Sequence, residues 1–183
     1  SDDDPGSGDH SVKAWVKTTV SHTGIIWSVR NASNPSSWLQ FWVNGGNIEY
    51  GSSSARLTKN YVIDDGRWHC LYGVKTSSAI RLYVDGIEVG STSTTGSDPA
   101  LDSNSIFRIG NHYDNNHHFQ GSLALISYEL SAPSAEMIKR MYEEEKLLFR
   151  ENAKCTLHGT SDVVTAIAHD DISDTLHVGT SSG

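Results

Sequence analysis

A histidine and an aspartate stand close together in the stretch DDGRWHCLYGVKTSSAIRLYVDGIEVGS, residues 64–91. His69 follows one Asp-Gly pair, and Asp85 opens a second one. If these two side chains met in the fold, they could transfer protons or hold a metal ion. However, apolar and polar residues alternate up to Asp85, and Asp85-Gly86 is a two-residue turn of the kind that joins antiparallel strands. The pattern therefore favours a β-hairpin in which neither residue is catalytic.

The densest group of polar side chains is the segment GNHYDNNHHF, residues 110–119. Carboxylate and amide oxygens suit calcium, so Asp114 and Asn116 are candidate calcium ligands, whereas the histidines suit a softer metal. Planar polar groups beside an aromatic ring also suit the hydroxyl groups of a glycan. We therefore predict a ligand-binding loop formed by Asn111, His112, Tyr113, Asp114, Asn115, Asn116 and His118. The alternative is a solvated loop that only joins two strands.

A second candidate surface is aromatic and lies in the segment SWLQFWVNGGNIEY. Because side chains alternate along a strand, Trp38, Gln40 and Trp42 share one face, and three apolar residues between and after them share the other. Aromatic rings bury much area at little cost in conformational entropy, and they can stack on the apolar faces of sugars. Trp38 and Trp42 are therefore predicted to bind a ligand. The alternatives are that they cover the second side of the core or pack against a partner subunit.

The elements that would position these residues are short strands with a period of two. Gly, Asn, Ser and Pro clusters separate them and supply turns at intervals of roughly 8–12 residues. Such spacing predicts an all-β fold, an antiparallel β-sandwich or jelly roll. The predicted strands lie within residues 10–20, 24–30, 38–43, 67–75, 80–86, 105–110 and 121–130.

The pattern changes after residue 130, where apolar residues recur at helical spacing over 131–152. Ser131 or Ser134 can cap this amphipathic helix. Two strand-like runs then predict a short β-hairpin tail. We predict a sandwich over residues 1–131, a helix over 132–152 that packs on the sandwich or leaves it, and the start of a further β unit over 153–183. The helical residues 134–150 are also a candidate contact between identical subunits.

The charge of the chain limits its partners. Lys and Arg number 14 against 22 Asp and Glu, which gives a formal net charge of −8 at pH 7. The field of such a chain repels nucleic acid and anionic membranes, so we expect no nucleic-acid partner. We expect no membrane insertion either, because no run approaches the ~20 apolar residues of a membrane span. No signal peptide is expected at the N-terminus, and the pairing of Cys70 with Cys155 is left open.

The segment DGRWHCLYGVKTSSAIRLYVDG resembles the central hairpin of the laminin G-like, pentraxin-type jelly rolls of the concanavalin A-like lectin/glucanase superfamily. The segments GDHSVKAWVKT and FRIGNHYDNNHHFQGSLALISYELSAPSAEMIKRMYEE are similar to its opening and closing strands. The resemblance covers residues 8–150 and implies the sandwich fold. Where the family often has an acidic residue after F-x-G-x-I, this chain has Ala124, which weakens the case for calcium. The tail also resembles the first strands of a β-propeller and segments of bacteriophage tail or appendage proteins.

These observations predict a non-catalytic, lectin-like adhesion module that binds a carbohydrate or surface polymer, within a larger extracellular or virion-surface protein. The alternative is a structural module of a viral appendage whose helix and tail mediate oligomerisation. A polysaccharide-degrading enzyme is the third interpretation. The main objection to it is that glucanase relatives need a pair of carboxylates flanking the scissile bond, in an E-x-D-x-x-E-like run that this sequence lacks. No cofactor is predicted apart from the candidate calcium ion.

Overall fold

The computed structural model describes residues 8–94, 104–112, 114–150, 164–170 and 175–180. Ten strands in these ranges, each with alternating faces, build two five-stranded antiparallel sheets. The first sheet has the order β10 (Ser122–Glu129), β1 (His10–Lys17), β6 (Trp68–Lys75), β7 (Ala79–Val84) and β8 (Ile87–Ser93). The second has the order β5 (Arg56–Asn60), β4 (Asn47–Ser52), β3 (Trp38–Asn44), β2 (Thr23–Asn31) and β9 (Ser105–Ile109). The prediction of an all-β antiparallel sandwich is confirmed.

The core lies between the two sheets and follows the alternation of each strand. In β1, Val12, Ala14 and Val16 are fully buried. In β7, the apolar residues at positions 80, 82 and 84 are buried in the same core cluster. The facing residues of the second sheet include Leu39 and Phe41. Burial of each such side chain stabilises the fold by about 1.5–3 kcal/mol. The face of each strand that carries these residues is therefore the face that turns toward the core.

One close approach in the core explains a glycine inside a strand. The ring of Tyr50 in β4 lies over Gly73 in β6, and a Cβ atom at Gly73 would overlap that ring. The two sheets also meet through Trp27 and Tyr128, whose rings stack with centroids 5.4 Å apart. Side chains from the two sheets therefore interlock at several points.

The hairpin that joins β7 to β8 has the turn that the sequence predicts. Val84 pairs with Ile87, which leaves Asp85 and Gly86 as the two turn residues. Both have positive φ, 52° and 78°, as a type I′ turn requires. Strand β6, which comes before β7, contains Cys70. The thiol of Cys70 is buried, and burial raises its pKa to about 12.

Helix α1 (Ala135–Glu145) packs on the outer face of the first sheet. Ser134 is its N-cap and accepts a hydrogen bond from the backbone N of Met137. Ile138 is buried among apolar and aromatic side chains of β6 and β7. At the end of the helix, Glu145 pairs with the ammonium group of Lys13 and accepts a hydrogen bond from Trp15 Nε1 at 2.6 Å. The amphipathic pattern therefore serves contact with the protein's own sheet.

A 3-10 turn, Lys146–Phe149, follows the helix. The chain divides into two compact units, residues 1–146 and 147–183. In the second unit, β11 (Val164–Asp170) pairs antiparallel with β12 (Thr175–Thr180), which is the predicted β-hairpin. The domain ranges 1–131, 132–152 and 153–183 stay a prediction, and Cys155 lies outside the described residues. Among the described residues, no helix has the length and apolar character to span a bilayer.

Candidate functional site

His69 and Asp85 contact each other, but both ring nitrogens of His69 already have carboxylate partners. His69 Nδ1 lies 2.8 Å from Asp85 Oδ2, and its Nε2 lies 3.1 Å from Asp65 Oδ1. The hydrogen bond to Asp85 raises the pKa of His69 above its ordinary value of 6.5. The second oxygen of Asp85 accepts a hydrogen bond from the backbone N of Cys70 at 2.9 Å. Because both imidazole nitrogens face carboxylates, this cluster ties the hairpin together rather than presenting a base to a substrate.

The polar loop 110–119 lies over the outer face of the second sheet. Ser28 in β2 donates a hydrogen bond from Oγ to the carbonyl oxygen of Asn111 at 3.2 Å. The backbone N of Ile25, also in β2, donates to the carbonyl oxygen of His117 at 2.9 Å. The loop is closed at its base by a hydrogen bond from Phe119 N to Gly110 O, also 2.9 Å. These bonds fix both halves of the loop to the strand next to β3.

The aromatic face of β3 borders this loop and forms the floor of a groove. Trp38 and Trp42 are half-buried and point away from the core, while Leu39 and Phe41 between them are fully buried on the core side. The groove has a volume of about 480 Å³ and is lined by Thr23, Arg30, Pro35, Trp38, Gln40, Trp42, Asn44, Arg56, His112 and His117. The two candidate surfaces that the sequence treats separately are thus parts of one concavity.

Two arginines that the sequence analysis did not single out, Arg30 and Arg56, also line the groove. Arg30 donates from Nε to the carbonyl oxygen of Pro35 at 2.8 Å. Arg56 lies 3.4 Å from Glu49, which also accepts a hydrogen bond from Thr58 at 2.6 Å. Arg30 pairs with Trp38 across β2 and β3 in the antiparallel register, so it shares that aromatic face. The alternation in GIIWSVR already places Arg30 on the polar side of its strand and could have found it.

Within the loop, the structure brings His112, Asp114 and His117 together. His112 and His117 have ring centroids 5.5 Å apart and nearly perpendicular planes. Asp114 Oδ1 lies 2.6 Å from His112 Nδ1 and accepts a hydrogen bond from the backbone N of Asn116 at 3.0 Å. The hydrogen bond with His112 lowers the pKa of Asp114 to about 2. His117 was not among the predicted ligand-binding residues, although it belongs to the segment that was singled out.

The other predicted loop residues are placed differently. Asn111 donates from Nδ2 to Asn115 Oδ1 at 2.8 Å, which stabilises the loop from within. Asn116 and His118 are exposed, and neither lines the groove. Tyr113 lies outside the described residues. Their roles in ligand binding stay predictions.

The residues around Asp114 fit calcium poorly. Calcium takes six to eight oxygen ligands, but the side chains that gather around the Asp114 carboxylate include the imidazoles of His112 and His117. Asn116 contacts the Asp114 carboxylate as a hydrogen-bond donor, through its backbone N and its side chain, and N–H groups are not calcium ligands. Ala124, which the sequence resemblance aligns with an acidic residue, pairs with Trp15 in the first sheet, whereas the loop lies on the second sheet. Calcium at Asp114 and Asn116 stays a prediction without geometric support.

Comparison with known proteins agrees with this architecture. A laminin G family model, described as the concanavalin A-like lectin/glucanases superfamily, matches residues 1–138. The basement membrane-specific heparan sulfate proteoglycan core protein of Mus musculus is 26% identical over 101 residues, which are 52% of this chain and 3% of that protein.

Two solved structures show the same fold. Domains LG4-5 of the mouse laminin alpha1 chain match with a TM-score of 0.54 and 17% identity, over 70% of this chain and 37% of that one. The receptor binding domain of the botulinum neurotoxin C/D mosaic serotype matches with a TM-score of 0.56 and 18% identity, over 77% of this chain and 37% of that one. The chain therefore spans only a small part of the curated relative and about a third of each structure. With a family model that matches most of its length, the chain belongs to the laminin G-type family of the concanavalin A-like lectin/glucanases superfamily.

Proposed function

We propose that the protein is a non-catalytic binding module that recognises a carbohydrate or a surface polymer in the groove on its second sheet. The observation that carries the proposal is the juxtaposition of Trp38 and Trp42 with the loop side chains of His112 and His117 around one concavity. Ligand sites in proteins are concave and combine apolar walls with a few convergent polar groups. This groove has both.

The chemistry of the groove suits a sugar chain. The half-buried indoles of Trp38 and Trp42 offer apolar faces on which pyranose rings stack. Gln40 lies between them on the same strand face, and the guanidinium groups of Arg30 and Arg56 line the same space. Amide and guanidinium N–H groups donate hydrogen bonds to hydroxyl oxygens and, more strongly, to carboxylate or sulfate oxygens. Neutral and acidic glycans are therefore both candidate ligands.

The setting that we propose is a larger extracellular or virion-surface protein. The proteoglycan core protein that the chain resembles is a basement membrane protein by name, and the match covers 3% of its length. The neurotoxin structure that shares the fold is a receptor binding domain. Both support a module whose task is contact with another molecule.

The test is glycan binding by the whole chain and by groove variants. An array of neutral and acidic glycans identifies a binder, and titration calorimetry then measures its Kd. Trp42→Ala and Trp38→Ala should each weaken binding by about tenfold, the loss expected when a central aromatic anchor is truncated. Ile87→Ala, which removes an exposed apolar side chain from β8 in the first sheet, is the matched control and should leave Kd unchanged.

Two results would contradict this proposal. Equal affinity of the Trp42→Ala variant and the Ile87→Ala control would place binding elsewhere. Release of reducing ends from the bound glycan by the unmodified chain would show an enzyme instead of a binding module. We expect no such release, because a glycosidase needs a pair of suitably spaced carboxylates at the bound sugar.

A second candidate function is assembly, and one observation favours it. The large apolar side chains of Ile106, Phe107 and Ile109 are about half exposed along β9, the edge strand of the second sheet. Edge strands with apolar side chains tend to pair with other chains. If β9 mediates self-association, Ile109→Ser should lower the sedimentation coefficient at high protein concentration. The equally exposed Ile87→Ser on edge strand β8 serves as the control, and an equal effect of both would remove β9 from consideration.

A further inference from the structure

We infer that His112, Asp114 and His117 form a binding site for a transition-metal ion of the zinc class. One ligand atom from each of these side chains lies within 4.8 Å of the others. This donor set is different from the oxygen-rich pair, Asp114 and Asn116, that the sequence predicted for calcium. The inference stands on the loop geometry and does not depend on glycan binding.

The spacing is close to what a tetrahedral ion needs. With bond lengths of about 2.0–2.1 Å to nitrogen and oxygen, two ligand atoms on one zinc ion are roughly 3.4 Å apart. His112 Nδ1 and Asp114 Oδ1 are already 2.6 Å apart, within reach of one ion that would replace the shared proton. His117 has to move inward by about 1.4 Å at most, given the 4.8 Å limit and that ligand spacing. Its side chain is exposed, so a rotation of the imidazole disturbs no packed neighbour in the core.

The loop backbone holds two of the ligands in place. His117 is fixed to β2 by its carbonyl oxygen, which accepts a hydrogen bond from Ile25 N at 2.9 Å. The carbonyl oxygen of His112 accepts a hydrogen bond from Asn115 N at 3.0 Å, and the backbone N of His112 donates to the carbonyl oxygen of Asn116 at 3.2 Å. Asp114 lies within this turn. Ligands on an anchored backbone lose little further entropy when an ion binds.

The donor types select the class of ion. Two imidazoles and one carboxylate suit zinc, copper or nickel, whereas calcium and magnesium prefer oxygen ligands alone. Three protein ligands leave the fourth position of a tetrahedral zinc ion open. His112 and His117 also line the groove, so that open position is available to a molecule bound there.

The experiment uses the untagged 183-residue chain and titrates it separately with zinc chloride and calcium chloride. Calorimetry gives the Kd, and NMR of the imidazole resonances shows which histidines contact the ion. We expect zinc to bind at one site and to shift His112 and His117. His112→Ala and His117→Ala should each weaken binding by at least tenfold. His118→Ala, which removes the exposed neighbour outside the cluster, should change Kd by less than twofold.

Three outcomes would overturn the inference. The first is an equal loss of zinc affinity in the His118→Ala and His117→Ala variants, and the second is the absence of zinc binding at micromolar concentration. The third is a response of the same loop to calcium and not to zinc, which would restore the oxygen site. If His112→Ala perturbs the fold by circular dichroism, His117→Gln provides the same test at an exposed position. Cobalt substituted for zinc gives an absorption spectrum that reports four-coordinate or five-coordinate geometry directly.

Discussion

Replacing Glu145 by alanine should destabilise the sandwich much more than replacing its helical neighbour Glu144. Glu145 is the last residue of α1, and its two carboxylate oxygens contact the Lys13 ammonium group and the Trp15 indole N–H. The side chain of Lys13 is 8% exposed and that of Glu145 is 21% exposed. The ion pair therefore lies mostly out of water, between the helix and β1.

The size of the effect follows from what alanine leaves behind. Lys13 keeps its charge in a buried position without the carboxylate that compensates it, and the indole N–H of Trp15 loses that acceptor. Removing one partner of a buried pair costs about 3–5 kcal/mol. Because Glu145 is partly exposed, water can reach the site in the variant, and we expect the lower end, about 3 kcal/mol. For a domain of this size that corresponds to a decrease in Tm of roughly 6–12 °C.

The assay is urea unfolding followed by tryptophan fluorescence and circular dichroism. Trp15 stacks on Tyr142 of α1 with centroids 5.8 Å apart, so its emission reports whether the helix is docked. Glu144→Ala is the matched control, because Glu144 pairs with the exposed Arg140 on the helix surface and its loss should leave the urea midpoint unchanged within error. The double variant Lys13→Met/Glu145→Gln removes both charges and keeps an acceptor for Trp15, so it should recover most of the lost stability.

Two results would refute this reasoning. If Glu145→Ala is no less stable than Glu144→Ala, the buried pair does not stabilise helix docking. If the double variant is as unstable as Glu145→Ala, the loss comes from side-chain packing and not from the uncompensated charge.

Three further predictions concern the core and the hairpin. Since the folded state raises the pKa of His69 above 6.5, its contribution to stability is fully present below about pH 6.5 and is lost as the pH rises through the raised pKa. Wild-type protein should therefore lose more stability than His69→Gln between pH 6 and 9 in urea titrations, and parallel curves would contradict this. In a Cys155→Ser variant, Cys70 should react with iodoacetamide at least tenfold more slowly in the native state than in urea, because its thiol is buried and burial raises its pKa. Equal rates would show an accessible thiol. Gly73→Ala should lower the free energy of unfolding by about 1–3 kcal/mol, because the new methyl group overlaps the ring of Tyr50. Gly90→Ala should lower it less, because its nearest neighbour is the flexible side chain of Lys59. The reverse order of the denaturant midpoints would contradict the close approach at Gly73.

Local patterns in the sequence predicted the strand faces well. The alternation in WLQFWV depends only on the period of a strand, so Trp38, Gln40 and Trp42 could be placed on one face without knowledge of the fold. The Asp85-Gly86 turn has the same local origin. Helical spacing predicted a helix within residues 132–152, capped by Ser131 or Ser134; the structure has α1 at Ala135–Glu145 with Ser134 as its cap.

The groove could not be predicted in the same way, because it depends on contacts between distant residues. The bonds from Ser28 to Asn111 and from Ile25 to His117 bring loop and strand together across more than 80 residues. Which of two adjacent histidines faces the groove depends on the backbone of His117, where φ is 56°. Composition and periodicity carry no information about either feature.

The strand and the loop that form the groove are held in the fold in different ways. Trp38 and Trp42 belong to β3, a central strand of its sheet, so they cannot be moved without disturbing the core behind them. The loop is attached to β2 by hydrogen bonds from Ser28 Oγ and Ile25 N to carbonyl oxygens of the loop. These two bonds use loop backbone atoms and do not require particular loop side chains. Substitutions of loop side chains would therefore leave the aromatic floor unchanged, within the limits that the Asn111–Asn115 hydrogen bond and the positive φ of Asn115 set on the loop itself. In the proposed function, the aromatic strand would supply most of the affinity for a ligand and the loop most of the selectivity.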